Sequence, residues 1–322
     1  MRSGPTDQQL LQQCLGETGT SRHSPDYRGK VRDIYYLPRG LMAIVVTDRI
    51  SAFDRVFREP VPFKGQLLNL LSRHAFKQVE DLCEHHLLDV PHPNVAIAKR
   101  CRPIPVEIVV RGYLTGHAWR IYQQGERILC GKRLPAGLNR NEPFPEPLVT
   151  PATKAAAGHD EDISRQQILA KGLLEPDQWN VIHEKALQLF ARGSERAAER
   201  GLILADTKYE FGWYDDRIIL IDEVHTTDSS RFFLASGYED RLRRNEDQKQ
   251  LSKEFLREWL IRKGLHQVMD RERIPELPDE VRISLYERYR ELFELLTGSK
   301  FEPTSLNGFQ LWLDKLLDEY GR

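Results

Sequence analysis

The sequence predicts an α+β protein of about two domains, and three features of its 322 residues carry that prediction. Short β-branched runs pair up as hairpins near the N-terminus and again after Gly201. Helical spacing of apolar residues dominates after Gly65, after Pro176 and beyond Asp240. A composition of 40% hydrophobic and 30% charged residues is that of an ordinary globular chain, which excludes collagen-like, disulfide-scaffold and wholly disordered classes.

Val31–Leu37 and Leu41–Thr47 read as strands joined by a Pro38-Arg39-Gly40 turn. Leu68, Leu71, Ala75, Val79 and Leu82 then recur at helical spacing, which predicts an amphipathic helix from Gly65 to about Leu82, ended by the His- and Pro-rich stretch 85–93. Ile104–Tyr113 is a strand entered from a loop, and a domain boundary is expected close to it. Between Gly131 and Gly158 the prolines 135, 143, 145, 147 and 151 predict a long loop without a regular element. Pro176 opens a helix with Trp179, Ile182, Ala186, Leu189 and Phe190 on one face, and Gly201 closes it. Leu202–Gly212 and Arg217–Val224 form a second hairpin, and later helices carry Leu251, Phe255 and Trp259, then Val281, Leu285, Leu292 and Leu296.

A formal net charge of -1 recommends neither nucleic acid nor an anionic membrane as partner. The longest clean apolar run, Leu41–Val46, is far short of the ~20 residues of a membrane span, and the polar N-terminus lacks a signal-peptide core, so a cytoplasmic protein is expected. Cys14, Cys83, Cys101 and Cys130 are scattered without a CxxC pair and read as isolated reduced thiols.

The richest constellation is Asp206-Thr207-Lys208-Tyr209-Glu210-Phe211-Gly212. Strand alternation sends Asp206, Lys208 and Glu210 to one face and Thr207, Tyr209 and Phe211 to the other. Asp222 is expected in the next strand, within the apolar run that begins at Ile218, where a lone carboxylate is costly unless paired or metal-bound. A two-residue turn at Asp215-Asp216 would pair Glu210 with Ile221 and part the two acids; a three-residue loop centred on Asp216 would pair Glu210 with Asp222 across a cation such as Mg²⁺. The odd loop is the expectation, with an alternating surface strand and an unrelated ion pair as the other reading.

Elsewhere, Arg28-Gly29-Lys30-Val31-Arg32-Asp33 suits either a phosphate-covering loop or a solvated basic loop. Thr47–Asp54 is either a substrate-contacting strand end or an Asp/Ser-stabilised turn. Arg111 offers a planar fork for a carboxylate or phosphate, or one half of a structural ion pair. The hydroxyls and arginine of Thr226–Phe232 make an anion cradle or a capped turn. His159–Asp162 is a poor metal site, because three adjacent acids on one short segment do not converge.

Taken in order, seven motifs resemble one family: GKVRDIYYL from Gly29, TDRISAFD from Thr47, KGQLLNLLS from Lys64, VRGYLTG from Val110, TPATKAAAGHDEDIS from Thr150, ADTKYEFG from Ala205 and IDEVHTTDSSRF from Ile221. The chain is similar to the SAICAR synthetases from about Gly29 to Lys300. The resemblance implies an ATP-dependent ligase of purine biosynthesis that joins L-aspartate to carboxyaminoimidazole ribonucleotide. It also implies a β-rich N-terminal domain similar to a kinase small lobe over 1–105, an ATP-grasp-like α+β domain over 106–262, and C-terminal helices over 263–322 packed back. By that likeness Gly29, Lys30, Val31, Arg32 and Asp33 cover the ATP phosphates, with Lys30 a cationic contact, and Glu210 and Asp222 hold Mg²⁺. Arg111, Asp206, Ser230 and Arg231 would bind the ribonucleotide, and Lys208 would face the reacting phosphate and carboxylate. Ser51 and Asp54 would belong to a mobile substrate loop, and Lys154, His159 and Asp160 to a closing segment.

Three positions depart from the pattern: His117 replaces a usual serine, Ala156 a glutamate and Ser252 an aspartate. Leu311, Leu313, Leu316 and Leu317, beyond the family's usual end, are expected to form an amphipathic helix against the body or a partner. A small-molecule kinase with the same ATP site and a nucleotide sensor without turnover are the alternative functions.

Overall fold

The structure, a computed structural model, describes residues 6–154, 161–265 and 274–322. The chain divides into two compact units, Met1–Arg73 with Leu87–Arg100 and Phe255–Arg322, and His74–His86 with Cys101–Glu254. Mixed sheets and helices bear out the α+β class. Among the described residues no helix is long and apolar enough to cross a membrane.

The first unit holds a five-stranded antiparallel sheet in the order Tyr27–Arg28, Arg32–Leu37, Leu41–Val46, Val95–Lys99, Leu87–His92. The expected hairpin is its centre, with Leu37 opposite Leu41 across a turn that places Arg39 and Gly40 at positive φ. Tyr35, Leu37, Ala43, Val45, Val95 and Ile97 are buried on one sheet face, where Phe309, Leu313, Leu316 and Leu317 of the Phe309–Glu319 helix cover them. The C-terminal segment is therefore core. Leu311 was expected on the same face but is 61% exposed, because two residues turn an α-helix by about 200°.

The predicted helix spans Lys64–Val79. Gly65 is required at its start, since a Cβ there would lie 2.2 Å from the Val46 carbonyl oxygen. Asp48 fixes this approach: its buried carboxylate accepts from Gly65 N–H at 2.7 Å and from Leu15 N–H at 2.6 Å.

The second unit is built on a sheet in the order Pro143–Thr153, Arg102–Tyr113, Leu202–Tyr214, Arg217–Ile221, with Ser230–Leu234 also paired to Leu202–Tyr214. The central strand thus changes partner along one edge. Its first half pairs with Ser230–Leu234 and its second with Arg217–Ile221, and the connection 222–229 emerges between them. The Pro176–Ala198 helix, with proline at its start as predicted, packs on the sheet, and Gly112 admits Phe190, whose Cζ would sit 3.0 Å from a Cβ at that position.

The structure differs from the sequence expectation at two places. The proline-rich stretch contains an eleven-residue strand, Pro143–Thr153, paired with Arg102–Tyr113. It lies at the sheet edge, where prolines without N–H donors are tolerated, and its register shifts between Pro143 and Leu148. The second difference lies at the hairpin tip, which is a two-residue turn: Tyr214 pairs with Arg217 and Glu210 with Ile221. Asp215 and Asp216 both take positive φ, 46° and 59°, as a turn whose twist matches its strands demands.

Leu317→Ala, at a wholly buried position of the C-terminal helix, is expected to lower the unfolding free energy by about 3 kcal/mol in urea denaturation, whereas the same change at exposed Leu311 costs little.

Candidate active site

In the first unit, Arg49 organises the glycine loop. Its guanidinium donates to the carbonyls of Gly16 (2.9 Å), Gly29 (3.1 Å) and Lys30 (3.1 Å) and grips Asp33 at 2.6 Å. Asp33 is wholly buried and also accepts from Thr18, so it supports the loop from beneath. Thr47 adds a hydroxyl bond to the Val31 carbonyl at 2.8 Å. Thr47 and Arg49 therefore buttress the loop. Lys30 reaches outward to pair with Asp54, which sits at the tip of the small Ser51–Ala52/Arg55–Val56 hairpin. Arg32 flanks the loop, half-buried, while Ser51 is buried within the hairpin.

In the second unit the alternation of the central strand holds. Thr207, Tyr209 and Phe211 are buried on the packed face, and Asp206, Lys208 and Glu210 meet charged neighbours on the other. The adjacent strand contributes to that face in register, with Arg111 opposite Asp206 and Glu107 opposite Glu210. Two networks result.

At one end Asp206 accepts from Arg111 at 3.1 Å and from Arg231, while Arg111 Nε donates to Thr150 at 2.9 Å. Arg231 continues to Glu254 at 2.8 Å, and Glu254 also accepts from Arg120 at 3.2 Å. Burial disfavours the Arg231 charge, but Asp206 and Glu254 outweigh it and hold it protonated. Ser230 stands apart: it pairs opposite Thr207, and its hydroxyl bonds the Thr207 hydroxyl at 2.8 Å.

At the other end Lys208 Nζ is shared by Glu210, by Glu107 at 3.1 Å and by Asp222 at 3.5 Å. Lys154 caps the second oxygen of Glu210. Burial opposes charge on both Lys208 and Glu210, yet their mutual attraction wins: Lys208 is held above the usual lysine range, and Glu210, with Lys154 added, far below the usual carboxylate range. Asp222 reaches Lys208 although Glu210 pairs with Ile221, because the strand ends at Ile221 and Asp222 turns to φ 68°. His159 and Asp160 lie outside the described residues.

Three residues of these networks, Glu107, Arg120 and Glu254, carry no assignment from the sequence. Glu107 was legible, lying four positions before Arg111 and hence on its face of the strand. Glu254 carried no signal, because only tertiary folding brings it to Arg231. His117, at the variant serine position, bonds Asp162 at 2.7 Å.

A sheet face carrying one buried carboxylate between two guanidiniums and a lysine among three carboxylates has the fixed charges that suit a protein handling phosphates and carboxylates. The comparisons narrow this class. A family model described as SAICAR synthetase matches residues 26–272. The phosphoribosylaminoimidazole-succinocarboxamide synthase of Bacteroides fragilis is 51% identical over 282 residues, 87% of this chain and 90% of the relative. A solved SAICAR-synthase from Saccharomyces cerevisiae complexed with SAICAR matches with a TM-score of 0.73 at 35% identity, covering 87% of this chain and 96% of that one. A SAICAR synthetase (Type-2) in complex with ADP matches with a TM-score of 0.64 at 25% identity, covering 86% and 99%. The chain belongs to the SAICAR synthetase family.

On the packed face, burial pushes the His225 imidazole down to about 4. A histidine ordinarily near 6.5 in the unfolded chain thus contributes stability that is whole above that value and is lost as pH falls toward 4. His225→Gln is expected to remove about 2 kcal/mol of the stability difference between about pH 7 and pH 5, read from urea melts at both. An unchanged difference would mean that His225 is not held neutral.

Proposed function

We propose that this chain is an ATP-dependent, amide-forming ligase that joins L-aspartate to the carboxylate of carboxyaminoimidazole ribonucleotide, giving SAICAR, ADP and phosphate. The observation that carries this reading is the pair of networks on one sheet face: Arg111–Asp206–Arg231 at one end, Lys208 with Glu107, Glu210 and Asp222 at the other. A carboxylate is a poor electrophile until one oxygen becomes a leaving group. Transfer of the ATP γ-phosphoryl group supplies that as an acyl phosphate, which the aspartate amine displaces. Such transfer asks the protein chiefly for positioning and charge neutralisation.

Lys208 fits the second task. Held protonated by its carboxylate neighbours, it presents a positive charge to the reacting groups. Arg111 and Arg231, oriented by Asp206, are placed to grip the anionic groups of the ribonucleotide. In the first unit, Lys30 and the backbone of Gly29–Asp33, shaped by Arg49, serve the nucleotide phosphates. Ser51, Asp54, Lys154, His159 and Asp160 complete the substrate contacts, and Ser230 supports Arg231 from the packed side. A cytoplasmic setting accompanies this chemistry.

The residues present fit Mg²⁺. Glu210 and Asp222 converge on the single charge of Lys208, and both are hard oxygen donors. Mg²⁺ takes one or two protein carboxylates and fills its sphere with phosphate and water. Bound there by Glu210 and Asp222, Mg²⁺ would offset phosphate charge.

The test omits one component at a time from purified protein with ATP, magnesium, the ribonucleotide and aspartate. Succinocarboxamide product that requires all four supports the ligase; phosphorylated product without aspartate would indicate a kinase, and nucleotide binding without turnover a sensor. Glu210→Ala and Asp222→Ala are each expected to reduce turnover by about a hundredfold or more. Near-normal rates in both would remove the cation assignment.

A further inference from the structure

Asp222 reaches Lys208 only because its backbone is left-handed, at φ 68°, and His225, three residues on, is left-handed too at φ 52°. Non-glycine residues in this region carry strain that persists only where surrounding structure over-determines it. Among the contacts that hold the connection 222–229, two bear directly on its left-handed residues. At its start, buried His86 donates from Nε2 to the Asp222 carbonyl at 3.2 Å. Further along, His225 Nε2 and the Tyr209 hydroxyl share a 2.7 Å hydrogen bond, their rings 5.6 Å apart and inclined at 70°.

The His225 ring is closely enclosed. It lies against Gly193 of the Pro176–Ala198 helix, where an added Cβ would come within 2.4 Å of its Cε1 atom. Tyr209 is enclosed as well, being wholly buried in the central strand between Lys208 and Glu210. The bond therefore ties the connection that carries Asp222 to the very strand that carries Glu210. Tyr209 lies on the packed face, away from the charged one, so it acts through the residues on either side of it.

We propose that the Tyr209–His225 hydrogen bond is the positioning element that holds Asp222 beside Lys208 and thereby sets the affinity of the Glu210–Asp222 pair for a divalent cation. It rests on the reading of those two acids as cation ligands. The geometry makes Gly193 part of the same device, since only a residue without a side chain leaves room for the ring.

The experiment measures Mn²⁺ binding to the full chain by electron paramagnetic resonance in the presence of ADP, and ADP binding alone by calorimetry. The variants are Tyr209→Phe, Gly193→Ala, Glu210→Ala and Asp222→Ala. Tyr209→Phe is expected to weaken Mn²⁺ binding about tenfold, the scale typical of groups that orient metal ligands, while metal-free ADP affinity stays within about twofold. Gly193→Ala should do the same, although alanine is the better helix former, and it carries the measurement should the Phe variant not fold. A purely structural role would leave Mn²⁺ affinity unmoved. Wild-type Mn²⁺ affinity in Tyr209→Phe and Gly193→Ala, with loss in Asp222→Ala, overturns the positioning role and leaves the cation pair standing. Undiminished binding in Asp222→Ala and Glu210→Ala overturns the cation reading and the positioning role with it.

Discussion

The second unit is organised around one partly buried ammonium, that of Lys208. Glu107 and Glu210 face each other directly across two neighbouring strands, an arrangement that repels unless a positive charge lies between them. Lys208 supplies that charge, and Asp222 joins from outside the ladder. Removing the lysine would take the shared cation from three carboxylates and leave Lys154 on Glu210, a cost of several kcal/mol where one partner of a buried network is lost. Charge balance therefore limits what the strand can be: each acid on this face must have a cation, protein or ligand, within reach.

The same constraint explains the sheet topology. A central strand paired along one whole edge by a single hairpin would carry Asp222 onto the opposite face from Glu210. Here the edge is shared by two short strands, and the connection leaves the sheet level with Lys208, whose own N–H donates to the Ser229 carbonyl at 2.9 Å. The packed face supplies the rigidity, through Tyr209, Phe211 and the long helix behind them. At the other end Asp206 is held between two guanidiniums, so the face presents fixed charges that do not need to reorganise when anions arrive.

Much of this was legible in the residues. Period-two alternation assigned the charged and packed faces of 206–211 correctly, and the isolated acid after the apolar run 218–221 was rightly read as needing a partner. The principle that opposed carboxylates need a cation was also sound, but it applied to Glu107 and Glu210, a pairing that depends on a strand about a hundred residues away. The hairpin was misjudged because alternation was extended one residue beyond the point where the strand ends and Asp222 turns left-handed. The Pro143–Thr153 strand was missed for a related reason: whether prolines forbid a strand depends on whether it lies at an edge, which is a property of the sheet. Arg49, which shapes the glycine loop, lay within a recognised motif, yet its contacts with Gly16, Gly29 and Asp33 are tertiary.

The most direct test of the central claim is a crystal structure of this chain soaked with Mn²⁺ and a non-hydrolysable ATP analogue, with anomalous scattering used to locate the ion. The account predicts a peak about 2.2 Å from carboxylate oxygens of both Glu210 and Asp222, as hard divalent cations require. A peak elsewhere, with Glu210 still clasped by Lys154 and Lys208, would contradict it.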